Sequence, residues 1–199
     1  MPAELHPGRV TLVMNHSVIT LREGGLVGGA ETAFLSLYDI FHSLTLGAGC
    51  VALLRVVAAG VDVVLAERVE LGRRMQQRLL SMGHTHGMLS RPPLAARFTR
   101  DPWAGDSLGY RIEASGLEVT ARWERLSAPF YALGPAPAFS PAEDIWSIFT
   151  EAAAASVIAN GLEASGAPFT DDAWASTLGR ALCSAHVALA ETRVTPAVR

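Results

Sequence analysis

The sequence predicts an α+β fold, an antiparallel sheet with flanking helices and a C-terminal helical pair. Three observations lead there. Short apolar runs separated by turn residues fill much of the first 135 residues, which is how hairpin strands look in sequence. Between them lie stretches whose apolar positions recur every three or four residues, the spacing of a helix face. After the proline-rich segment ALGPAPAFSP the chain turns alanine-rich and carries helix-start signals.

Val10–Leu21 (VTLVMNHSVITL) is rich in β-branched and apolar residues and reads as a strand with an irregularity near Asn15. After the turn GGLVGGAE, residues Thr32–Leu46 place Phe34, Leu37, Tyr38, Phe41 and Leu44 at helical spacing. Val51–Val57 and Val61–Val69 form a hairpin around AAG. Met75, Leu79 and Met82 then mark one face of a short helix over 72–82, ending at Gly83. Gly109–Ala114 and Leu117–Leu126 make a second hairpin turning at Ser115–Gly116. Ser140-Pro141-Ala142-Glu143 has the form of a capping box with proline at the first helical position, so a helix is expected from there, with Ile145, Ile148, Phe149 and Ala152 inward. A second helix is expected from Thr170-Asp171-Asp172, with Trp174, Leu178, Ala181, Leu182 and Ala185 on its inner face. The expected organisation is a ligand-binding domain over 1–135 and a helical extension over 136–199 packed on it. That extension would cover a cavity or offer a homodimer surface.

Composition narrows the function. Half of the 199 residues are hydrophobic, 18% are charged, and the formal net charge is -3. With no basic cluster, nucleic acid and anionic membrane surfaces are poor partners. The longest apolar stretch, 44–66, is broken by Arg55 and Asp62 and makes a poor spanning helix. The N-terminus does not resemble a signal peptide, and a soluble cytoplasmic protein is expected. Cys50 and Cys183 are far apart and form no CxxC, so no disulfide framework is indicated. All 16 basic residues are arginine. Without lysine, Schiff-base chemistry, a P-loop lysine and a Ser–Lys dyad are excluded.

The candidate site begins with Arg55 and Arg68, each set in an otherwise apolar strand. Either they reach outward to solvent, or they converge on a cavity. Inward-facing guanidinium groups need a negative partner, and their forked geometry matches a carboxylate. Other constellations are weaker. His84 and His86 are two apart, as two metal ligands on one strand face would be, but a zinc site needs three or four ligands. The loop GGLVGGAETA lacks the spacing of a phosphate loop. Ser17, His16 and Asp39 make a nucleophile triad on paper, with no GxSxG to support it. Along TARWERL, alternation sets Arg122 and Glu124 on one face and Trp123 on the other.

On LLRVV, VVLAERVEL, RMQQRLLSMGHTHGMLSR and SGLEVTARWERLSAPFY, the run 53–131 resembles the chorismate lyase-like superfamily. That resemblance implies an antiparallel sheet with a buried ligand cavity beneath helical flaps. It also implies a cofactor-independent, lyase-like reaction on a small carboxylated, cyclic or aromatic metabolite. Carried over by position, Arg55 and Arg68 would hold substrate carboxylates. The backbone at His86 and Gly87 would touch the ligand, and Glu124 would be the catalytic acid/base. Departures are plain: Arg122 occupies the ungapped position of the family glutamate, and neither Thr32–Leu46 nor the segment after Pro135 has a counterpart. Two alternatives accompany this reading. One is a non-catalytic small-acid-binding protein on the same scaffold. The other is a hotdog-type acyl-thioester enzyme, because GLVGGAETAFLSLYDIF resembles the glycine pair and central helix of small thioesterases, with Asp39 as base.

Overall fold

The computed structural model describes residues 8–101, 105–135, 143–172 and 175–196. It is mostly β. Strands β1 (Gly8–Arg22), β2 (Glu31–Ser43), β3 (Gly49–Val56) and β4 (Val61–Ala66) form an antiparallel meander. Helix α1 (Val69–Ser81) follows, then β5 (Leu94–Arg100), which pairs in parallel with the end of β4. Strands β6 (Leu108–Ala114), β7 (Leu117–Leu126), β8 (Phe130–Pro135) and β9 (Asp144–Ala159) continue the sheet. Three two-residue strands come next in chain order, β10 (Leu162–Glu163), β11 (Thr170–Asp171) and β12 (Leu182–Cys183). The four-residue α2 (Ala175–Leu178) lies between the last two, and β13 (Ala185–Pro196) ends the described chain.

The sheet has eleven strands and closes on itself. The first half of β9 pairs with β13 and its second half with β7, while β13 pairs with β1. One face thereby becomes an interior, filled by Ile19, Leu21, Leu35, Leu37, Leu54, Leu65, Ile112, Val119, Val157 and Val187. Trp123 is fully buried there, and its indole N–H donates to the Val18 carbonyl at 2.8 Å, so the one polar atom of the largest core side chain is satisfied. The opposite face of β1–β4 is also covered. Leu12, Met14, Tyr38, Val51, Leu53 and Val64 pack under Leu71, Met75 and Leu79 of α1. At Gly72 the helix comes so close to Pro93 that an added Cβ would stand 2.7 Å from the proline Cβ.

The architecture corrects the expected α+β fold in three places. Thr32–Leu46 is not a helix, because Glu31–Ser43 forms β2. Strands buried on both faces carry apolar residues at nearly every position, and such a run matches helical spacing by chance. The same observation removes the central helix required by the hotdog alternative; α1 lies outside the sheet. The helix expected from Ser140 is β9. Ser140, Pro141 and Ala142 lie outside the described residues, but Asp144–Ala159 is a strand in which Ile145, Ser147 and Phe149 are buried while Trp146 and Ile148 are exposed. Alanine's helix preference, roughly a few tenths of a kcal/mol per residue, yields to strand pairing: β13 and β8 flank the first half of β9, and β7 pairs with its alanine-rich second half. Among the described residues of 170–185 the expected second C-terminal helix is reduced to the four-residue α2, and Ala185 opens β13. Trp174 lies outside the described residues. Strand β1 and the two hairpins form where expected, with Gly116 at φ 74° in the β6–β7 turn, where a left-handed residue is needed. The strand expected over Val61–Val69, however, ends at Ala66, and the helix expected from Gly72 opens at Val69, so Arg68 stands at the N-cap of α1 instead of lying in a strand. Among the described residues no helix is long and apolar enough to cross a membrane.

Candidate functional site

A cavity of about 180 Å³ lies between α1 and the outer face of β1–β3. Two periodicities build it. Leu12, Met14, His16 and Val18 alternate along β1, and Phe34, Ser36 and Tyr38 along β2, so all seven share the sheet face that forms the floor. Met75, Arg78, Leu79 and Met82 recur at helical spacing and form the roof, with His84 and His86 following them. The lining is mostly apolar.

Its polar part centres on His16. In the β1–β2 register His16 stands opposite Tyr38, and Ser36, two pairs along, stands opposite Val18 on the same face. The imidazole stacks on the Tyr38 ring at 4.4 Å, and its Nε2 lies 2.9 Å from Ser36 Oγ. On the other side Nδ1 lies 4.0 Å from the Glu191 carboxylate. That carboxylate accepts from Arg193 Nε at 3.0 Å, and both partners are almost wholly buried. In the tautomer that presents a proton from Nδ1 to the carboxylate, Nε2 accepts from the Ser36 hydroxyl. Burial, reinforced by His186, Arg193 and His84, lowers the His16 pKa to about 3, so the ring is neutral. Burial also pushes the Tyr38 hydroxyl upward.

A β-bulge brings Glu191 and Arg193 to this face. Along the first part of β13 the odd residues Ala185, Val187 and Leu189 face the interior. Continued alternation would send Glu191 and Arg193 there too. Instead the register shifts between Leu189 and Thr192 against β9 and between Met14 and His16 against β1. Ala190 sits at φ 49°, a left-handed conformation costly for a residue with a Cβ, and its N–H is held by Asn15 Oδ1 at 3.0 Å. The extra residue flips the alternation and turns both charged side chains toward His16.

Arg78 is the second cationic group of the cavity. Its side chain is partly exposed and stands 3.8 Å from Glu143, which accepts a 2.6 Å hydrogen bond from Thr11. Burial lowers the guanidinium's pKa somewhat, yet an arginine remains charged.

Of the five residues singled out in the sequence, the cavity lining includes His86, whose ring stacks on Phe34 at 4.7 Å. Arg55 is elsewhere, neutralised by Asp62 at 3.1 Å and Glu31 at 3.3 Å. Arg68 precedes α1, is exposed, and donates to the Ala48 carbonyl. Gly87 lies in an exposed turn, and Glu124 is exposed on β7, on the side away from Trp123. The structure does not bring the two arginines or Glu124 together at this cavity. Among the described residues no group of three or more His, Cys, Asp or Glu is placed to hold a metal ion. Both cysteines are free thiols with pKa values raised by burial. Sequence reasoning noticed His16 but paired it with Ser17, which faces the interior. The signal for Ser36 is the alternation Phe34, Ser36, Tyr38, which the helix-like spacing of Phe34, Leu37, Tyr38 and Phe41 masks.

No family model matches the chain, and neither a curated protein nor a solved structure matches it. Nothing in these comparisons bears on the chorismate lyase-like resemblance.

Proposed function

We propose that the chain binds a small, largely apolar carboxylic acid in the cavity beneath α1. The observation that carries this reading is an apolar-walled hollow lined by two permanent cations, Arg78 at its partly exposed side and Arg193 paired with buried Glu191, and by one neutral hydrogen-bonding pair, His16–Ser36. The carboxylate clamp first sought at Arg55 and Arg68 is thereby assigned to Arg78. Size supports a compact ligand. An apolar cavity of about 150 Å³ accepts benzene, so one of about 180 Å³ suits a single ring or a short acyl chain with a polar head. Phe34, stacked on His86, gives such a ring a flat surface.

Titration calorimetry with benzoate and benzyl alcohol tests this. A charge-assisted hydrogen bond adds about 1.5 kcal/mol, so benzoate should bind roughly tenfold tighter than the alcohol. Arg78→Met should erase that preference, while Arg55→Ala and Arg68→Ala leave it intact. Equal affinity for both compounds, or heat from neither, refutes the reading.

A further inference from the structure

We infer that Ser36 is a nucleophile, and that the cavity hydrolyses small acyl esters through an acyl-Ser36 intermediate, with His16 as general base and Glu191 as its positioning residue. This rests on the binding reading above, since the acid released is the ligand class proposed there. Ser36 and His16 both line the cavity, where a substrate would touch them, at an Oγ–Nε2 distance of 2.9 Å. Glu191 stands behind the ring at 4.0 Å, a separation that closes to a hydrogen bond with a small tilt, as resting sites of this kind often require. A histidine that merely fills a core needs neither a buried carboxylate behind it nor a strained bulge to deliver that carboxylate. Here Ala190 takes a left-handed conformation, and the consequence is to aim Glu191 at Nδ1.

The chemistry balances without a further reagent except water. The Ser36 Oγ electron pair bonds to the ester carbonyl carbon as its proton passes to His16 Nε2, and the carbonyl π pair moves to oxygen. Arg78 and Arg193, on the same cavity, are the positive groups available to that developing charge. The intermediate re-forms the carbonyl, the bond to the alcohol oxygen breaks, and the alcohol leaves with the proton from His16. A water molecule then attacks the acyl carbon as its proton passes to His16 Nε2; the acyl carbon–Oγ bond breaks, Ser36 Oγ takes the proton back from His16, and the acid leaves. The groups around His16 are Glu191, Arg193 and Tyr38, with His84 and His186 beyond them; burial first, then repulsion from His186, Arg193 and His84, keeps the ring uncharged despite the Glu191 carboxylate. Turnover should therefore stay level from pH 8 to pH 5, where a histidine titrating near about 6.5 would lose most of its activity.

The experiment is labelling with phenylmethanesulfonyl fluoride followed by peptide mass mapping, alongside hydrolysis of p-nitrophenyl acetate. The adduct should map to Ser36, and Ser36→Ala should remove both the adduct and at least about 99% of turnover, with Ser17→Ala as a control that changes neither. Glu191→Gln should lower kcat roughly a hundredfold with KM unchanged. Should that variant fold poorly, His16→Gln reports on the same base. An adduct elsewhere, or turnover that survives Ser36→Ala, overturns the proposal. Benzoate binding to the Ser36→Ala protein is measured separately, so loss of the nucleophile reading leaves the binding reading standing on its own result.

Discussion

Lowering the pH from 7 to 5 should destabilise this protein by about 4 kcal/mol through two histidines. His16 and His186 are both buried, and burial lowers their pKa values to about 3 and about 4. For His186 a hydrogen bond from its ring to the Cys183 carbonyl opposes the shift without cancelling it. In the unfolded chain each titrates near about 6.5. A folded pKa below the unfolded one means that the unfolded state takes up the proton first. Stability is therefore full above about 6.5, falls as pH drops toward the folded values, and levels off beneath them. Across pH 7 to 5 each histidine gains about 0.7 proton in the unfolded state and almost none in the native state, and integrating that difference over the two pH units costs about 2 kcal/mol apiece. His86, also shifted downward by burial, adds in the same direction. Urea unfolding at pH 7, 6 and 5 and constant ionic strength measures the effect. His186→Gln should remove about half of the slope. A midpoint that does not move between pH 7 and pH 5 would refute the burial argument for both rings.

Three further outcomes follow from the packing. Arg55→Ala removes two partly exposed ion pairs, so urea unfolding should show a loss of about 1 kcal/mol or less. Gly72→Ala must displace Pro93, because the new Cβ would stand 2.7 Å from it; thermal unfolding should report roughly 1–3 kcal/mol of destabilisation despite alanine's better helix propensity. Met82→Trp, on the half-buried end of the cavity roof, should fill the hollow and abolish benzoate binding in calorimetry while the unfolding midpoint stays near that of the parent.

Much of the local structure was legible because local chemistry dictates it. The AAG and Ser115–Gly116 turns announce their hairpins, and the Met75, Leu79, Met82 stripe announces α1. The misread segments share one cause. In β2 both faces are covered, by the barrel interior and by α1, so polar residues do not mark an outer face and the period of two is masked. In β9 alanine favours a helix, but that local preference is outweighed by pairing with β13 and β8 along the first half and with β7 along the second.

The sequence by itself determined which segments could be buried, where the tight turns fall, and that neither lysine chemistry nor a basic surface is present. Tertiary structure decided which polar side chains meet. Ser36, His16 and Glu191 lie on three strands, and Glu191 reaches the cavity side because one extra residue at Ala190 reverses the alternation of β13. A bulge of that kind is fixed by how strands register against one another over 170 residues or so of chain, and pairing over such distances leaves no periodic trace in the segment that carries it.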